Sequence, residues 1–538
     1  MKTFFLAAAL MICFGSVAQN SYISKVWVAD NGNGTYKNPI IYADYSDLDV
    51  CRVGDDYWMT ASSFNCSPGL PILHSKDMVN WTIVNHALPR QIPLEVFDLP
   101  QHGKGVWAPS IRYHNKEFYI YWGDPDFGIY MVKTADPRGR WSDPVLVKPG
   151  KGLIDACPLW DTDERAYVVH AYAGSRAGMG SFMAVFEMTP DGTKAITESR
   201  LVFDGHEGNP TVEGAKFHKY NGYYWILAPA GGVARGWQLA MRSKDIYGPY
   251  EYRKVLAQGN SPVNGPHQGA WVDTPKGENW FYHFQDVGIY GRIVHLQPMR
   301  WVDGWPVMGI DEDGDGCGEP VMSWKMPNVG KTYPVTTPQE SDEFDGLTLG
   351  KQWQWHANYS PLWAYYAGDK GYMRLFSAVQ PATKTYGNLM DCPNLLLQKF
   401  PAPEFSAVTK VTFKPNVIGE RAGFIVMGYS YAMLALDYTK EGIVLSQIEC
   451  RNAERNGKEL VNASQKLAGD TFFLKITVKE GGKCTFFYSE DGNYYTQMGK
   501  EFTAREGRWI GAKVGYFINR PSMSSGGGWL DVDWFRIE

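Results

Sequence analysis

Two aspartates stand two residues apart in the stretch NPIIYADYSDLDVCRVGDDYW, residues 38–58. In an extended strand Asp47 and Asp49 would point to the same side, where a carboxylate can serve as a catalytic base. An Asp in a Ser-Asp turn more often bonds its own backbone, so the pair alone decides nothing. Repetition does. Asp47 precedes Tyr57 by 10 residues, Asp155 precedes Tyr167 by 12 and Glu213 precedes Tyr223 by 10. Three acids entering three similar aromatic strands at like distances can converge on one point. Convergent carboxylates do acid/base work, one protonated and donating, one ionised and accepting, with environments that hold their proton affinities apart.

Such acids meet only if the elements carrying them repeat, and from residue 47 to about 306 they do. Each of five units reads as a polar or acidic turn, an aromatic strand, a Gly-rich gap, an apolar strand, then a Trp or Tyr beside a turn. The units are marked by DDYWMTASSF with LPILHSKDMVNW, WAPSIRYHNKEFYIYW with GIYMVKTADPRGRW, ERAYVVHAY with SFMAVFEMTPDG, NGYYWILAPAGG with QLAMRSKDIYGPY, and ENWFYHFQD with RIVHLQPMRWVDGW. Short strands in repeats of roughly 45 to 60 residues predict a five-bladed β-propeller. The innermost strand of each blade comes first and starts at one end of the central channel, which places the residue opening each unit near the axis.

Aromatics are 14% and charged residues 20% of the 538 residues, with 57 Gly and 32 Pro, the balance of an all-β, turn-rich chain. A formal net charge of −5 with mixed signs leaves no basic stripe for nucleic acid. Residues 1–18, MKTFFLAAALMICFGSVA, join a Lys, an apolar run from Phe4 to Phe14, and small Ser16 and Ala18 before Gln19. That is the pattern of a secretory signal peptide, too short to span a membrane, and it predicts a periplasmic or extracellular protein with no membrane span. Beyond Cys13 the seven remaining cysteines include no CxxC pair, so zinc has no support and buried free thiols with at most one or two disulfides are expected.

The segment GIDEDGDGCGEP places Asp311, Asp313 and Asp315 as in the opening of a calcium loop, but Met322 stands where the bidentate Glu belongs. A structural Ca2+ is one reading and a solvated acidic turn the other; the chemistry requires no cofactor. Pro320, Pro327, Pro334 and Pro338 punctuate a linker at 320–340, dividing a propeller at 19–319 from a second domain at 341–538. There Leu474, Ile476 and Val478 alternate with Lys475 and Thr477 ahead of a Gly481-Gly482 turn, the pattern of an antiparallel β-sandwich of jelly-roll type.

As a set, the string NPIIYADYSDLDVCRVGDDYWMTASSF with LPILHSKDMVNW, then WAPSIRYHNKEFYIYW, GLIDACPLW, VEGAKFHKYNGYYWIL and the R-x5-P-x2-W run from Arg292 to Trp301 resemble glycoside hydrolase family 43. These are five-bladed arabinofuranosidases and β-xylosidases of plant cell-wall breakdown. LGKQWQWHANYSP, NLLLQKF and AGFIVMGYSYAMLALD resemble the concanavalin-like domain attached to many of the family's β-xylosidases. The resemblance implies Asp47 as general base, Glu213 as general acid and Asp155 as the aspartate that tunes and orients the acid, with Arg292, Phe64, Trp107 and His267 about the substrate. Arg292 matches an arginine beside the base, and His267 an axial histidine that lies near a cation in several members. Read without the family, Arg292 is a charge partner for a neighbouring blade. His267, with no second ligand at fixed spacing, is a hydrogen-bonded channel residue rather than a direct metal ligand. Asp49 is expected to be a turn residue supporting Asp47.

The implied substrate is a plant cell-wall oligosaccharide or polysaccharide (xyloglucan, arabinoxylan or arabinan), trimmed one terminal sugar at a time with inversion. Typical β-xylosidases of the family carry a run resembling Phe-Glu-Trp-Phe-Pro-Gly, whose Trp meets the substrate; here the run is Phe64-Asn65-Cys66-Ser67-Pro68-Gly69. Phe64 keeps an apolar wall. Cys66 in place of the Trp favours a furanose, hence an α-L-arabinofuranosidase, with a β-D-xylosidase or a dual enzyme as the alternative. A non-catalytic sugar-binding propeller would repeat aromatic platforms in every blade, whereas here the acids differ by blade.

Overall fold

A computed structural model describes residues 22–382, 384–523 and 526–538; the expected signal peptide at 1–18 lies outside the described residues. Each repeat folds into a four-stranded antiparallel sheet in meander order, over 49–88, 107–149, 153–204, 216–256 and 271–308. The middle strands are apolar on both sides: Gly69–Ser75 is buried at every residue, and Glu117–Asp124 at all but the first. A sheet of that kind needs a neighbour on each face, and the ring supplies both. Trp58 and Ile72 of the first sheet pack on Ile120 and Trp122 of the second. Tyr121 and Met131 of the second meet Val168 and Phe186 of the third, Val169 meets Ile226 of the fourth, and Trp225 of the fourth meets Phe281 and Trp305 of the fifth. Val50 and Met59 close the circle against Tyr282 and Leu296. Five apolar seams of this kind make a five-bladed β-propeller.

The ends of the propeller are clipped together. Thr35–Lys37 pairs with Ser323–Lys325, and the N–H groups of Ile40 and Tyr45 donate to the carbonyls of Val294 and Arg292. The Pro-punctuated segment then follows the propeller surface, with Thr336 N–H on Asn80 Oδ1 and Thr337 N–H on the Tyr22 carbonyl.

The C-terminal region forms two eight-stranded sheets. Along Thr471–Lys479 burial alternates, Phe472, Leu474, Ile476 and Val478 inward, Lys475 and Thr477 outward. The inward residues share one core with Phe424, Leu434 and Tyr516 of the facing sheet, which makes the region a β-sandwich. It rests directly on the propeller: Ser67 and Trp355 exchange backbone hydrogen bonds of 3.0 and 2.6 Å, and Ala512 N–H donates to the Ile289 carbonyl at 2.7 Å. Among the described residues, all seven cysteines are free and no helix is long and apolar enough to cross a membrane.

Candidate active site

One backbone device recurs at the head of every inner strand. Asp47, Ala108, Asp155, Gly214 and Gln268, one per blade, have φ of +53, +37, +59, +65 and +37°. In the second and third blades the strand register slips there, between Trp107 and Ser110 and between Ile154 and Cys157. A left-handed residue of this kind forms a bulge that re-aims a side chain, and non-glycine residues held in it cluster at functional sites. The common register expected for the three acids holds to within one residue: Gly214 is the fourth-blade equivalent of the two aspartates, and Glu213 precedes it. The same bulge corrects the reading of Asp49. It shares no strand face with Asp47, because strand alternation begins only at Asp49, and it is not a turn residue. It is 1% exposed and accepts from Ile111 N–H at 2.8 Å and Arg112 Nη1 at 2.6 Å, tying the first blade to the second.

Asp47, Asp155 and Glu213 line one cleft of about 540 Å³ with Phe64, Trp107, Gln268 and Arg292. Asp47 is surrounded by donors: Ser46 Oγ and Ser62 Oγ reach its Oδ2 at 2.6 and 2.7 Å, and Arg292 Nη1 its Oδ1 at 2.8 Å. Ser62 Oγ in turn accepts from Ala108 N–H, and Arg292 Nη1 also donates to Ser46 Oγ, so the set is braced from two further blades. Arg292 is therefore the partner of Asp47 itself, packed over the Phe284 ring at 4.9 Å. Asp155, 4% exposed, accepts from Gly214 N–H at 2.6 Å. Burial first, then the charges of Glu213 and Asp47, push its carboxyl up to about 8. The Glu213 side chain is 37% exposed toward the cleft, its Oε1 lying 3.7 Å from His267 Nε2.

Phe64 and Trp107 meet edge to face at 6.4 Å, and Trp107 meets Trp509 of the sandwich at 6.3 Å. Trp509 lines the cleft and was not legible in the sequence, since no local pattern ties a loop of the second domain to a site in the first. Gln268 was also missed. It is 3% exposed, lines the cleft, and its Nε2 has no hydrogen-bond partner among the described residues. A signal existed: Gln268 opens the fifth repeat as Asp47 opens the first.

Two expectations are corrected. Cys66 does not line the cleft; it is 2% exposed and accepts from Lys513 Nζ of the sandwich at 3.1 Å. The turn gives Phe64 a φ of +50° and faces it to the cleft while Cys66 faces the domain seam. His267, 1% exposed, is not hydrogen-bonded through its ring, for neither nitrogen has a partner among the described residues; it stands against Glu213 rather than on the cleft wall. The oxygens of Asp311, Asp313 and Asp315 do gather within 4.8 Å of one another, yet they accept from the N–H groups of Gly314, Gly316, Asp315 and Cys317. The nearby Glu319 is turned to Asn260 N–H.

Comparison with known proteins agrees with this geometry. The profile of Glycosyl hydrolases family 43 matches residues 36–306, and that of the Beta xylosidase C-terminal Concanavalin A-like domain matches 341–538. A putative beta-xylosidase of Xylanibacter ruminicola is 38% identical over 91% of this chain and 88% of its own. The non-reducing end alpha-L-arabinofuranosidase BoGH43B of Bacteroides ovatus is 31% identical over 73% of each. The crystal structure of the GH43 protein BlXynB from Bacillus licheniformis superposes with a TM-score of 0.79 at 27% identity, over 94% of this chain and 99% of that one. With a propeller whose blades bring three carboxylates to one cleft and a sandwich that reaches into it, the chain belongs to glycosyl hydrolase family 43.

Proposed function

We propose that the chain is an exo-acting, inverting pentosidase that removes terminal non-reducing β-D-xylosyl units from hemicellulose oligosaccharides. The observation carrying the mechanism is the unequal setting of the acids. Asp47, caged by three donors, is set to accept a proton from the attacking water. Glu213, open to the cleft, is set to donate to the glycosidic oxygen. The crowding of Asp155 and Glu213 keeps one proton in the pair, and only Glu213 faces the leaving group. Arg292 holds Asp47, and Gln268 Nε2 offers a donor for a sugar hydroxyl. Asp47 and Glu213 come from the first and fourth blades, a separation that suits a water between base and sugar, as inversion requires.

Support for a xyloside comes from the naming of relatives such as the Xylanibacter protein, and from the loss of the ground for a furanose once Cys66 is seen to face the domain seam. The α-L-arabinofuranoside reading, alone or in a dual enzyme, keeps the support of relatives such as BoGH43B. Nitrophenyl β-D-xyloside against nitrophenyl α-L-arabinofuranoside separates the two. The leader-like residues 1–18 support action outside the cytoplasm.

Proton NMR of the first product should show the inverted anomer before mutarotation, and digestion of an oligosaccharide should release monosaccharide without a ladder. A retained anomer, or transglycosylation to added methanol, would make Asp47 a nucleophile. Trp509→Ala should raise KM about tenfold with kcat less affected, the loss of roughly 1.4 kcal/mol of binding. Unchanged kinetics would exclude the sandwich from the substrate site.

A further inference from the structure

Two lysines at the seam between the domains take no part in this chemistry. Lys399 and Lys513 are register partners on the adjacent antiparallel strands Leu396–Lys399 and Lys513–Arg520, so they leave the sheet side by side, where like charges repel. Lys513 is 4% exposed. Its Nζ donates to Cys66 Sγ at 3.1 Å and to Gln354 Oε1 at 3.4 Å, and Lys399 Nζ donates to the same Gln354 oxygen at 3.3 Å. Among the described residues neither lysine makes an ion pair.

The carboxylates nearby are committed elsewhere. Asp44 accepts the N–H groups of Arg292 and Gly511, and Glu340 is turned to Ser24 and Tyr22. Lys399 is half-buried with its Nζ 5.2 Å from the Tyr45 ring, and two ammonium groups held side by side at a seam are costly: burial followed by the charge of Lys513 lowers Lys399 to about 8 against the opposing charge of Asp44. Lys399 lines a cavity of about 60 Å³ together with Lys351, His86, Tyr45 and the Glu340 carboxyl that is turned to Ser24. On the other side of Gln354, Lys513 lines one of about 20 Å³ beside His356, which is 5% exposed with Nδ1 unpartnered among the described residues. A single water needs roughly 10–15 Å³ of such space, so the larger cavity has room for an ion.

We propose that this seam binds a small inorganic anion, seated in the larger cavity against Lys399 and within the field of Lys513. The ion neutralises the opposed lysines and joins His86 of the first blade to the sandwich. It binds the closed, two-domain state and not the unfolded chain, so it raises stability by mass action.

The test uses the full chain at constant ionic strength, exchanging potassium gluconate, whose anion is too large for the cavity, for potassium bromide or potassium phosphate. The melting temperature should rise by a few degrees and saturate, and the salt that saturates lower tells a halide site from an oxyanion site. Lys399→Met should abolish the rise and, in gluconate, melt no lower than wild type, because the repulsion is gone. Cys66→Ser should keep the rise. Equal melting in all three salts, or a rise that survives Lys399→Met, would overturn the site. A rise lost in Cys66→Ser would overturn it too, by placing the ion in the smaller cavity beside Cys66. Crystals soaked in bromide give a readout that does not depend on a variant folding: an anomalous peak beside Lys399 Nζ is expected if the ion is a halide. The proposal fails if neither bromide nor phosphate gives density there.

Discussion

Alanine at Asp47 or at Glu213 should lower kcat by about 10²- to 10⁴-fold, the usual worth of a positioned acid or base, while the protein stays folded. The two variants should then part company. On the proposed roles Glu213 protonates the departing oxygen, so Glu213→Ala should lose little on a dinitrophenyl glycoside and most on an unactivated disaccharide. As the proposed base, Asp47 would act on the water, whose need for a base does not change with the leaving group, so Asp47→Ala should be slow on both. Removing Asp47 also leaves the Arg292 guanidinium, 8% exposed, without its closest carboxylate. Some loss of stability is expected there and not at the cleft-facing Glu213. Equal responses of the two variants to leaving-group pKa would refute the division of roles, and a near wild-type rate in either would remove that residue from the mechanism.

The propeller was legible because its physics is local and repeated. Every blade must bury both faces, so residues such as Tyr57, Tyr121 and Trp225 recur from blade to blade, and the turn before the inner strand is where the three carboxylates enter the cleft. The sandwich was legible for the same kind of reason, in the alternation from Phe472 to Val478. What spacing cannot supply is the φ of a single residue. The left-handed backbone at Asp47 and Asp155, matched in the fourth blade by Gly214 and not by Glu213, decides which side chain turns toward the channel.

Residue type misled where a turn, and not a strand, sets direction. Cys66 follows Phe64 by two positions, as residues on one strand face do, but the left-handed Phe64 breaks that alternation and Cys66 faces Lys513 instead. Trp509 lies far along the chain from Asp47, and its place over Arg292, at 5.9 Å, depends on how two domains dock. The docking contacts themselves, such as Ser67 with Trp355, are backbone hydrogen bonds that no side-chain pattern announces.

Asparagine at Asp155 should inactivate the enzyme and stabilise the fold, and the two effects should depend on pH differently. The wild-type carboxyl is raised to about 8, so the folded chain holds this proton more tightly than the unfolded chain does. Below about pH 4 both states are protonated and the group contributes its full stability. As pH rises toward 8 only the unfolded chain releases the proton, and stability is lost across that window. Asparagine keeps an oxygen for the Gly214 N–H and has no proton to release. Asp155→Asn should therefore match wild type near pH 4 and exceed it near pH 8 by an amount on the order of 5 kcal/mol, read from unfolding of the propeller. Activity should fall by about 10²-fold or more at every pH, because Glu213 loses the carboxyl with which it shares a proton. An Asn variant that is less stable than wild type at pH 8 would show that Asp155 is held by attraction and not strained by burial. One that keeps wild-type turnover would show that the proton reaches the glycosidic oxygen without it. Stability gained where activity is lost is the expected mark of a carboxylate buried beside two others for the sake of chemistry.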